Sequence, residues 1–129
     1  MTYKDVLILQ SAYQHLATGF SEKPENPPVP YKLSGKNRLV IAKNNLSLKK
    51  VIEVFESAKE QVISQNGGPF TDEDVNKENY QKAVVAVNEL LTNDAGDLKL
   101  EVLNVEELVE NDNPIPTPVL EIFLSYNNN

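Results

Sequence analysis

Residues 34–66 read SGKNRLVIAKNNLSLKKVIEVFESAKEQVISQN, and the spacing predicts one long helix that decides the fold. Ser34 has the side chain to cap a helix opening at Gly35, and Asn66, Gly67 and Gly68 stop it. At 100° per residue, Leu48, Val51, Ile52, Phe55, Ala58 and Val62 share one broad face. Leu39, Ala42 and Leu46 form a second apolar stripe confined to the first half, which predicts neighbours on both sides there. Asn44, Asn45 and Ser47 are poor helix formers, so a bend or interruption is expected at that junction.

The same rotation brings Lys36, Lys43 and Lys50 within about 40° of one another, a stripe rather than a scatter. From Pro27 to Ile52 there is no acidic residue, while Lys32, Lys36, Arg38, Lys43, Lys49 and Lys50 all fall there. The formal net charge of the whole chain is −7, which argues against wholesale binding to a nucleic-acid backbone. The molecule is polarised instead. Tyr31, Lys36, Arg38, Lys43 and Lys50 are therefore the candidate anion- or partner-binding residues. The competing expectation is that acids of the third helix or the C-terminal segment neutralise them.

Working outward, residues 3–19 place Val6, Leu7, Leu9, Ala12, Tyr13 and Leu16 on one face of a first helix, with Thr2 and Asp5 as a capping box and Gly19 as its end. Phe20 is expected to fold back on it. Residues 21–30, SEKPENPPVP, form a proline-rich loop that no helix crosses. On the other side, Thr71 and Asp74 predict a capping box for a helix reaching Leu91, buried through Tyr80, Ala83, Val84, Val87, Leu90 and Leu91. Leu98, Leu100 and Val102 alternate with Lys99 and Glu101, the pattern of a half-buried strand. Its partner would be residues 31–33 or a strand of another copy, since a lone strand is not stable. Asn104 is expected to cap a short turn through residues 106–109. Thr117 and Pro118 announce a last helix through Tyr126, with a strand as the alternative, and residues 127–129 are expected to fray. The fold class expected is mainly α: a long central helix packed by N-terminal, third and C-terminal helices, with one short β-strand, in a single domain spanning the 129 residues.

Chemistry is sparsely marked. With no cysteine there is no disulfide framework or thiolate zinc site, and a reducing compartment is expected. Neither a signal peptide nor a membrane span is expected from the broken apolar run at residues 1–19. The single histidine, His15, has no spaced nucleophile and acid, so it reads as a polar surface residue. The oxygen-rich run Asp72, Glu73, Asp74, Asn76 and Glu78 fails as a calcium loop, because Lys77 stands where the glycine belongs and Ala83 where the bidentate glutamate belongs. Glu106, Glu107, Glu110 and Asp112 lack a convergent partner for acid–base work. No catalytic residue, metal or cofactor is expected.

The stretches LSGKNRLVIAKNN (33–45), LKKVIEVFESAKEQVIS (48–64) and KLEVLNVEEL (99–108), with the proline-entered last helix, resemble a group of small proteins of tailed bacteriophages and prophages. The matching motifs are Gly35-Lys36 and Ala42-Lys43-Asn44 on a long helix rich in lysine and glutamate; the proline-rich loop is an addition to that layout. The resemblance implies a non-enzymatic phage product, cytoplasmic in the host or virion-associated. It would be an assembly accessory or a host-directed factor acting through a protein partner or self-association. The alternative is a nucleotide or nucleic-acid binder using the basic stripe.

Overall fold

The computed structural model describes residues 1–126; the expected fraying of residues 127–129 lies outside the described residues. Helices α1 (Tyr3–Thr18), α2 (Gly35–Gln65), α3 (Glu78–Leu91), α4 (Val105–Glu110) and α5 (Thr117–Tyr126) follow in order, with a single 3₁₀ turn at Asp72–Asp74. The architecture is mainly helical, with the long α2 packed by its neighbours as the apolar periodicity predicts.

Burial is densest on α1, where Val6, Leu9, Ala12, Tyr13 and Leu16 are all buried. That helix packs against α2, α5 and α3, so the short N-terminal helix sits at the centre of the core and α2 runs along it. Thr2 caps α1 as expected: its hydroxyl accepts from the Asp5 amide at 3.2 Å while its own amide donates to the Asp5 carboxylate at 2.9 Å. At the other end Gly19 adopts φ +101°, a left-handed conformation that lets Phe20 turn back. Phe20 and Val29 exchange backbone hydrogen bonds of 2.9 and 2.6 Å, which close the exposed proline-rich loop at its neck.

Helix α2 opens at Gly35 under the Ser34 cap, whose hydroxyl accepts from the Asn37 amide at 3.1 Å. It runs unbroken through residues 44–47, against the interruption that helix propensity predicts. Val40, Ile41, Leu48 and Phe55 are buried, and so are Asn37 and Asn44. The second apolar stripe does not find its neighbours: Leu39 and Leu46 are 55% and 56% exposed. With α1 and the following segments all on the opposite side, nothing within the described residues covers that face.

Two further expectations are corrected. The Thr71–Asp74 capping box forms, with the Thr71 amide donating to Asp74 at 2.8 Å. It opens only the 3₁₀ turn, and α3 starts at Glu78, where the apolar spacing that can hold a helix on the core begins. Residues 97–104 are extended but pair with no strand; among the described residues the only bridges are Thr2 with Asp94 and Phe20 with Val29. Leu98 and Leu100 pack on the core, but Leu103 rather than Val102 is buried, so the alternation slips by one at its end. The last helix is helical as expected, with Phe123 buried edge-on to Tyr13 at 4.9 Å.

Candidate interaction surface

The extended segment is held by asparagine amides instead of a β-ladder. Asn44 Nδ2 donates to the Glu101 carbonyl at 2.9 Å and to the Tyr13 hydroxyl at 2.8 Å, while Asn44 Oδ1 accepts from the Glu101 amide at 2.8 Å. Two turns earlier, Asn37 repeats the arrangement with Asn104, donating to its carbonyl at 3.1 Å and accepting from its amide at 3.0 Å. A primary amide offers one acceptor and two donors in a plane, so it satisfies both backbone groups of one residue as a neighbouring strand would. Asn113 does the same for Lys32, at 2.7 and 2.9 Å, and adds a bond to the Leu108 carbonyl at 2.9 Å. Residues 31–33, the expected strand partner, are thus tied to the loop after α4.

These tethers place α4 beside the start of α2. Asn104 caps α4, accepting from the Glu107 amide at 3.2 Å. Glu107 in turn accepts from the Ser34 amide at 2.6 Å and from its hydroxyl at 2.9 Å. The amino end of α2, a ready position for an anion, is thereby met by a carboxylate of the chain itself.

The residues singled out from the sequence fall in different settings. Tyr31 is buried, its hydroxyl 2.6 Å from His15 Nε2 and its ring against Phe20; burial pushes its phenol up. Arg38 is exposed at the surface but donates to the Tyr31 carbonyl at 3.0 Å. Lys43 pairs with Glu101 at 3.1 Å in a half-exposed contact. Lys36 and Lys50 lie exposed on the same side of α2. The stripe is therefore brought together along the helix, with Tyr31 turned inward and an acid of the extended segment against its middle.

Sequence reasoning missed the apolar surface next to this stripe. Val102 and Leu124 are 59% and 69% exposed, and Val109 is exposed as well. Val105, Val109, Leu120 and Leu124 line a shallow groove of about 400 Å³ between α4 and α5, with Glu106 and Glu110 at its edge. A trough of about 540 Å³ continues from it past Val102 and Val40 to Lys36, sharing Val105, Glu106 and Leu124 with the groove. The signal available in the sequence was the nearly continuous apolar run of residues 119–124, which a helix cannot bury on one face.

No protein-family model, curated protein or solved structure matches this chain. Among the described residues no helix is long and apolar enough to cross a membrane.

Proposed function

We propose that this chain is a non-enzymatic interaction protein that works by docking another protein on the surface around Val102, Val109 and Leu124. The observation that carries the reading is the exposure of these side chains on a framework that the asparagine tethers hold in place. Contiguous exposed apolar surface rimmed by charge is the usual mark of a protein contact. In the phage or prophage setting that the motif resemblance implies, the role is an assembly accessory or a host-directed factor. Anion or nucleic-acid binding by the basic stripe has less support, because Lys43 already faces Glu101 and Tyr31 lies buried.

Photo-crosslinking tests the reading. A photoreactive residue at position 124, introduced into the chain in producing cells, is expected to give protein adducts. The same residue at the exposed Ser11 of α1 is expected to give none. Equal yields from the two positions would overturn it.

A further inference from the structure

The exposed stripe of α2 and the groove between α4 and α5 are complementary halves carried by one chain. Leu39 and Leu46 stand about 10.5 Å apart along the helix, with Ala42 between them. Lys36, Lys43 and Lys50 run along one edge of this line, and Arg38 and Lys49 along the other; all are exposed. The groove offers the opposite: Val105, Val109, Leu120 and Leu124 edged by Glu106 and Glu110. An apolar strip flanked by cations matches an apolar groove that bears two carboxylates along its α4 wall, in both hydrophobic and electrostatic terms.

Resting on the reading of this surface as a protein-docking face, we propose that its occupant is a second copy of the chain, whose Leu39–Leu46 strip seats in the glutamate-edged groove. Lys36 belongs to the edge of the strip and to the wall of the trough that continues the groove, so the two halves are neighbours on one side of the molecule. A two-fold axis lying between them sets each strip on the other copy's groove at once. The contact is reciprocal and closes as a dimer rather than propagating as a filament. Leucines between the lysines favour this occupant over a polyanion, which would leave them in water.

Light scattering on the eluting protein, over a concentration series at low and high salt, tests the proposal. The native chain is expected at twice its own mass at high concentration, shifting toward monomer as salt screens the edge charges. Glu106→Lys with Glu110→Lys, and separately Lys49→Glu with Lys50→Glu, are each expected to run as folded monomers by circular dichroism. Their equimolar mixture is expected to recover the dimer, because the lysines placed in one groove then face the glutamates placed on the other strip, while the native strip meets the native groove. Lys43 is left intact because it holds Glu101.

A native chain that stays monomeric throughout would overturn the proposal. So would a dimer indifferent to both variants, or a mixture that fails to reassociate. Crosslinks from position 124 separate the two readings. Adducts to a protein of another mass, with a monomeric native chain, retain the docking face and reject the second copy. No adducts and no dimer reject both.

Discussion

Asn44 and Glu101, 57 positions apart in sequence, form a planar pair in which the buried side-chain amide meets both backbone groups of its partner, at 2.8 and 2.9 Å. The same Nδ2 reaches the Tyr13 hydroxyl at 2.8 Å, so one amide joins α1, α2 and the segment before α4. Asn44→Ala leaves these groups in the interior without a partner, at about 1–3 kcal/mol for each that water cannot reach. We expect a loss of about 2–4 kcal/mol, read as a fall in the urea midpoint with an unchanged slope. Asn44→Leu should not restore it, since the missing element is a hydrogen bond and not volume. Exposed Val85→Ala on α3 serves as the control, within about 0.5 kcal/mol of the native chain.

Asn37 and Asn44 hold the same segment from positions two turns apart on one face of α2, and the second tether depends on the first. In a double-mutant cycle with Asn37→Ala and Asn44→Ala, the combined loss is expected to fall short of the sum by about 0.5–3 kcal/mol. Once one tether is gone, the segment frays and the other has less order to preserve. Amide hydrogen exchange at Glu101 and Asn104 should accelerate in each single variant at both sites. Strict additivity, with acceleration confined to the tethered residue, would contradict this coupling.

The contrast between caps and tethers explains what the sequence disclosed. Thr2, Ser34 and Asn104 were legible because each cap bonds an amide three residues away, and local pairing leaves a local signature. The long α2 and the helical character of α5 were legible for the same reason. The asparagine tethers span 57 and 67 positions, and helix propensity marks Asn44 as a weak point when tertiary bonding makes it a fixed one. One clue was available: Asn37 and Asn44 fall on the face of Leu48 and Phe55, and a polar residue amid an apolar face needs a buried partner. Without that clue the alternation at residues 98–102 reads as a strand in search of a neighbour. The candidate surface was half legible, its lysine stripe from spacing alone. Its glutamate-edged groove depends on how α4 and α5 meet.

The bond between Asp5 and Tyr126 ties the first turn of α1 to the last turn of α5 at 2.7 Å. The Tyr126 hydroxyl, followed by the Thr2 amide, holds the Asp5 carboxyl below its ordinary 3.8. A depressed carboxyl contributes stability above the unfolded value, and that contribution is lost as pH falls through the folded one. The Asp5 hydrogen bond likewise raises the Tyr126 phenol above 10.0; its contribution is complete below pH 10.0 and lost as pH climbs through the raised value. Tyr126→Phe should therefore flatten the pH dependence of the urea midpoint at both extremes, most clearly on the acid side. Burial also raises Tyr13 and Tyr31, which keep an alkaline slope in the variant. An acid limb identical in the two proteins would show that the bond does not form in solution.

Gly19 and Gly35 bracket the segment that carries the chain from α1 to α2, and they should respond oppositely to alanine. At Gly19 the backbone sits at φ +101°, and an added Cβ would collide with the Val29 carbonyl. That carbonyl accepts the Phe20 amide at the neck of the proline-rich loop, so it cannot yield without opening the neck. Gly19→Ala is expected to destabilise by well over about 1 kcal/mol. It should also expose the 21–30 loop to limited proteolysis. Gly35 is the first residue of α2, and a Cβ added there would meet nothing within 4 Å, so alanine lowers the entropy of the unfolded chain without strain. Gly35→Ala is expected to raise the urea midpoint by the equivalent of about 0.4–1 kcal/mol. A gain in stability would show that the helix start does not require the glycine.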